Sequence, residues 1–246
     1  MKVYLKHHIK DKLATVLLTL LVIFLISAKN QALADGMVVD KVYHPYVLSD
    51  ETEVEWRLVS RQTDNGNTLA QRLGYGHSIS EHIIVEGYLI GEEDNQGDFG
   101  LQAYEVEARF MLSEQGEFWA DWGALVEFEK QHDADNYEFT GGFLVEKEFG
   151  KTSLTLNAFI IHEWGEDLDS EWETEFRAQW RYRYISEFQP AVELYSGENY
   201  LGIGPAFMGL HRFSTKKRLK WEAGFISEIS NSGKDHSLRF ALEYEF

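Results

Sequence analysis

Charged residues recur at every second position through several long stretches, and they are the groups with chemistry to offer. In EWETEFRAQWRYRY, Glu171, Glu173, Glu175, Arg177, Arg181 and Arg183 alternate with Trp172, Thr174, Phe176, Ala178, Trp180, Tyr182 and Tyr184. The same spacing sets Glu105, Glu107 and Arg109 against Tyr104, Val106, Ala108 and Phe110, and Glu127 and Glu129 against Val126 and Phe128. It also sets Glu53, Glu55 and Arg57 against Val54, Trp56 and Leu58. Near the end, Arg239 and Glu243 fall between Leu238, Phe240, Leu242 and Tyr244. A strand turns residues of one parity to one face. The expected polar surface is therefore Glu53, Glu55, Arg57, Glu105, Glu107, Arg109, Glu127, Glu129, Glu173, Glu175, Arg177, Arg181, Arg183, Arg239 and Glu243. Two chemistries fit it: an aqueous path that prefers cations, since acids outnumber bases, or a polar interior in which Glu and Arg pair and block passage.

Other reactive groups are sparse. His162 shares the apolar parity of Leu154, Leu156, Ala158 and Ile160 near one end of its strand, a position where a Ser–His hydrolase would keep its base. The neighbouring strand ends offer Tyr137, Phe139, Trp172 and Thr174 rather than a serine, so no catalytic residue is assigned. His77 and Ser78 are adjacent and would point to opposite faces. His44 in YHPYV reads as a turn residue, and a lone histidine makes no metal site. The acidic stretches GEEDNQGD and GEDLDSE carry oxygen donors of the kind divalent cations use, but read as solvated loop tips. No metal or cofactor is expected. There is no cysteine, which excludes disulfides, thiolate sites and a lipid-anchoring cysteine. A formal charge of −18 argues against nucleic-acid binding, which needs clustered Lys and Arg. Aromatics at 14% argue against disorder.

The elements that would position these groups are strands. Twelve are expected, at 52–60, 69–77, 82–91, 99–112, 117–130, 137–149, 152–164, 171–184, 188–196, 200–213, 219–227 and 236–246. The second, third, ninth and tenth are rich in Gly and alternate poorly. The stretch from Glu171 to Tyr184 keeps its alternation far beyond the ~5–6 residues of an ordinary strand, whereas a tilted bilayer-crossing strand needs ~9–11. Length decides for a membrane barrel. Every second connector, beginning with QTDNGN, EEDNQGD and HDADN, is acidic and mostly long. Those between, such as HSIS, SEQG and GKT, are short. Such sorting suits an even-stranded barrel with both termini on one side of the membrane. The seven Trp residues have rings suited to the headgroup levels.

The N-terminus reads as an export signal: Lys2, Lys6, Lys10 and Lys12, the apolar run Leu13 to Ser27, then small residues at Ala32 and Ala34. Cleavage after Ala34 would remove five Lys and one Asp, a net +4, and leave −22. Hydropathy alone then gives a soluble secreted chain; the strand pattern gives a membrane one.

The C-terminal residues Leu238, Phe240, Leu242, Tyr244 and Phe246 resemble the last strand of Gram-negative outer-membrane β-barrels, which ends on Phe with apolar residues at alternate positions. The resemblance implies that these five residues are the signal read by the barrel assembly machinery. KVYHPYV followed by ETEVEWR is similar to the start of uncharacterised proteobacterial outer-membrane proteins. Some twelve-stranded barrels similar to this one hydrolyse lipids.

The expected architecture is thus all-β, a transmembrane antiparallel up-and-down barrel of about 12 strands over 51–246. A cleaved signal peptide (1–34) and a periplasmic lead-in (35–50) precede it. It would sit in the bacterial outer membrane among lipid and lipopolysaccharide, bind no nucleic acid, and have an oligomeric state the residues leave open. Three functions remain: a small channel for polar or cationic solutes, a non-conducting structural or adhesive barrel plugged by its own charges, and, third, an outer-leaflet lipid hydrolase.

Overall fold

The computed structural model describes residues 38–246 except 64–65, 94–96, 167, 169, 199, 216 and 231–234. The expected signal peptide and the first residues of the lead-in lie outside the described residues.

Twelve strands form, in chain order: β1 (Thr52–Thr63), β2 (Gly66–Ser80), β3 (Ile83–Glu93), β4 (Phe99–Met111), β5 (Asp121–Gln131) and β6 (Asn136–Phe149). They continue as β7 (Thr152–Gly165), β8 (Glu171–Tyr182), β9 (Gln189–Ser196), β10 (Leu201–Arg212), β11 (Arg218–Glu228) and β12 (His236–Glu245). Each pairs with the next, antiparallel, and β12 returns to pair with β1, closing an up-and-down barrel. The seam runs from Glu53↔Glu245 to Gln62↔His236. The Phe246 amide donates to the Thr52 carbonyl at 2.9 Å. Closure satisfies the backbone groups that an open edge would leave bare in hydrocarbon.

The two faces are inverted relative to a soluble protein. Trp180 is 64% exposed on the outside, while Glu107 and Glu193 are 0% exposed on the inside. In water such a surface would be unfavourable, because charged residues are rarely fully buried and large apolar patches are rarely bare. Lipid around the outside accounts for both. Aromatic rings gather at the two ends. His162, Trp164, Trp172 and Tyr137 stack at one. Trp119 and Trp122, then Tyr244 and Phe246, meet at the other.

Strand boundaries differ from the sequence expectation most plainly at β5 and β2. β5 starts at Asp121, not 117, because the preceding residues turn: Gly116 has φ +78° and its amide donates to Asp121 Oδ1 at 2.6 Å. β2 extends past 69–77 at both ends, and its glycines are part of the strand. A Cβ at Gly76 would stand 2.8 Å from Glu86 and 2.9 Å from Glu53. Poor alternation there reflects inward crowding.

Candidate functional site

The lumen is occupied by the chain's own N-terminal segment, Val38 to Val47. Of the lead-in expected over 35–50, residues 38–50 are described, and Val38 to Val47 run inside the barrel. Its apolar and polar residues, mixed along the segment, have partners on opposite walls. Val39 and Val42 pack with Tyr195, Tyr200 and Ile226, and Tyr43 packs with Leu125, Leu144, Phe159 and Ile161. Pro45 lies against Gly123, where a Cβ would come within 2.9 Å of it.

Polar contacts fix the register. Tyr43 is held like a strand residue by one side chain: its amide donates to Asn157 Oδ1 at 2.8 Å and its carbonyl accepts from Asn157 Nδ2 at 2.8 Å. The Tyr43 hydroxyl donates to Glu107 at 2.7 Å. Lys41 Nζ bridges Glu55 and Glu243, each at 3.0 Å. Asp40 faces Arg57 at 3.0 Å and Arg177 at 3.6 Å. His44 Nδ1 meets Glu146 at 2.5 Å, and the Tyr46 hydroxyl donates to Asp121 at 2.8 Å. Burial pushes the Asp40 carboxyl up, but Arg57, Arg72, Arg177 and Arg239 outweigh it and hold the group well below the usual carboxylate range. Burial likewise pulls Lys41 down, and Glu243 and Glu55 overcome this to raise it. Both therefore stay charged across the physiological range, and each charge is answered by the wall.

The predicted polar residues divide. Glu55, Arg57, Glu107, Arg177 and Glu243 contact the segment directly. Glu53, Arg109, Glu175 and Arg239 are buried in the wall around it. Arg239 pairs with Glu193 and, at 2.7 Å, with Glu222. Arg181 reaches Glu146 at 3.2 Å. Glu105, Glu127, Glu129 and Glu173 lie toward the opposite end of the lumen. Arg183 falls just beyond β8 and joins Glu148 and the Gly150 carbonyl, at 2.6 Å, so it braces a turn at the rim. The apolar set Leu238, Phe240, Leu242, Tyr244 and Phe246 lies on the outward parity of β12, with Leu238 and Phe246 exposed.

Several inward groups fall outside the predicted set: Glu86, Tyr88, Glu146, Asn157, Glu193 and Tyr195. Glu146 shares the polar parity of Glu138 and Glu148 and was legible. Tyr88 and Tyr195 were not, since a tyrosine at alternate spacing reads as facing lipid. Here their hydroxyls donate inward, Tyr88 to Glu55 at 2.9 Å and Tyr195 to the Asp40 carbonyl at 2.8 Å.

His162 does have a serine. Its Nε2 lies 3.0 Å from Ser170 Oγ, a residue of the loop before β8 rather than of a neighbouring strand, while Trp172 and Trp164 stack on its ring. Among the described residues no acid or amide orients its Nδ1. Among the described residues the pair has no third group of the kind a Ser–His hydrolytic site uses.

No protein-family model matches the chain, and no curated protein matches it. Solved structures do. An outer membrane channel from Pseudomonas putida F1 aligns over 85% of this chain and 100% of its own, at 13% identity and a TM-score of 0.61. The KdgM porin aligns over 79% and 99%, at 12% identity and a TM-score of 0.54. KdgM has also been solved in complex with disordered oligogalacturonate, with a TM-score of 0.53. The fold is that of a Gram-negative outer-membrane β-barrel. In even-stranded outer-membrane barrels the end that carries both termini is the periplasmic one and the long connectors are external; in this chain the termini meet at Thr52 and Phe246.

Proposed function

We propose that this chain is an outer-membrane barrel closed at rest by residues 38–47, and that it passes small polar or cationic solutes only when that segment withdraws. The observation that carries the reading is Lys41 held between Glu55 and Glu243 while Asp40 sits against Arg57 and Arg177. These contacts fill the lumen with paired charge, as the plugged alternative required. The likeness in fold to an outer membrane channel and a porin supports a path behind the plug. Water can take over the polar contacts of the plug when it withdraws, and the apolar contacts of Val39, Val42 and Tyr43 oppose withdrawal.

Planar-bilayer recording tests this. The natural chain is expected to be silent, and Asp40→Ala/Lys41→Ala to show intermittent unitary currents that favour cations. Steady conductance of the natural chain would overturn the plug. Silence of the variant, with the barrel still folded by heat-modifiable gel mobility, would leave a structural barrel.

A further inference from the structure

On the external side of the plug, three carboxylates stand together with too little positive charge. Glu105 on β4 and Glu127 and Glu129 on β5 each bring an oxygen within 4.8 Å of the others. The pairing of the two strands dictates this, since Glu105 is opposite Glu129 and Glu107 opposite Glu127. The Glu105 side chain is fully buried. Arg72 takes its Oε2 at 2.5 Å, and its Oε1 has no hydrogen-bond partner among the described residues. Neither Glu127 nor Glu129 has an ion pair or a hydrogen bond among the described residues. With all three ionised, one guanidinium against three carboxylates leaves a charge of −2, and bare buried carboxylates are costly.

A second cluster, Glu51, Glu53, Glu243 and Glu245, is equally tight. There Lys220 Nζ already stands 2.5 Å from both Glu243 and Glu245, and Lys41 meets Glu243. Lysine is the resident cation of that cluster. In the Glu105 group Arg72 reaches Glu105, and no cation pairs with Glu127 or Glu129 among the described residues.

We propose that Glu105, Glu127 and Glu129 bind one divalent cation of the calcium type, which approaches from the external end. All the donors are carboxylate oxygens, with no imidazole or thiolate among them, and this selects a hard cation; the two partly exposed ligands leave room for water to complete its shell. Glu138, Glu163 and Glu173 lie beyond the site without an ion pair of their own among the described residues, so the approach is negative and concentrates cations. The site does not require the plug to move.

The test is calorimetric titration of Ca2+ into the full chain in detergent after chelator treatment. Saturable binding near one equivalent is expected for the natural chain. It should weaken about tenfold or more in Glu127→Gln/Glu129→Gln, since removing ligand charge lowers affinity, and persist in Glu51→Gln. Heat-modifiable mobility reports whether each barrel has folded, and Glu129→Gln alone serves if the double variant fails to fold. Equal binding by natural chain and variant, which would put the ion on the external loops, overturns the proposal. So does the absence of binding at millimolar Ca2+.

Discussion

The periplasmic and external halves of the lumen are built from the same residue types and differ in how their charges are answered. Toward the periplasm, Glu55, Glu146, Glu193, Glu243 and Glu245 each have a cationic partner, supplied by Lys41, Arg181, Arg239, Lys220 and Arg218, and of the buried carboxylates there Glu53 has no ion pair among the described residues. Toward the outside, Glu127, Glu129, Glu138, Glu163 and Glu173 have none among the described residues, and Arg72 is shared between Glu105, at 2.5 Å, and Asp40, at 4.0 Å. The first half behaves as a core and the second as a vestibule. Glu127, Glu129, Glu138, Glu163 and Glu173 are each partly exposed, so water reaches them and an unpaired charge is tolerable there.

The largest effect should follow from breaking the paired half. Arg239→Met leaves the buried Glu193 and the partly exposed Glu222 without their guanidinium, and removal of one partner from a buried pair costs about 3–5 kcal/mol. Glu138→Gln in the vestibule should shift stability by no more than about 0.5 kcal/mol. Urea midpoints in detergent micelles compare the two, and similar losses would dissolve the distinction between core and vestibule.

A smaller, pH-dependent effect is expected at Glu51, just before β1. Burial pushes its carboxyl from 4.5 up to about 7; Lys220 opposes this and Glu245 adds to it. The folded barrel therefore prefers the protonated form. That stabilisation is complete below pH 4.5 and is lost as pH rises through about 7. Glu51→Gln should gain about 1–2 kcal/mol over the natural chain at alkaline pH and nothing in acid. A gain independent of pH would show that packing, not charge, sets this corner.

The smallest effect belongs to the rim. Arg183 and Glu148 are both about one-third exposed, and such pairs contribute about 0–1 kcal/mol. Arg183→Ala should leave the urea midpoint nearly unmoved and lose what little difference there is in high salt. A loss as large as that of Arg239→Met would place Arg183 in the lumen core after all.

Most strands could be read from the chain because period two is a local property. Glu171 to Tyr182 announces itself without reference to any other segment. β2 and β10 were harder, because an inward glycine carries no polarity to read and its reason is a neighbour, such as Glu86 beside Gly76. Ser170 is not legible as the partner of His162 for a related reason: a loop, not a strand, carries it there. The plug was the largest omission. VVDKVYHPYV has mixed polarity and suits water as well as a lumen, and Lys41 finds Glu243 only across 202 residues of sequence.

The sequence by itself determined the strands, their two faces, the membrane class and the inward position of most of the charge, since each follows from the order of apolar and polar residues along one strand. Only the tertiary structure decided which charges meet. That choice depends on the closure of β12 onto β1 and on the N-terminal segment that lies within, and pairing across a closed barrel leaves no periodic trace in the chain.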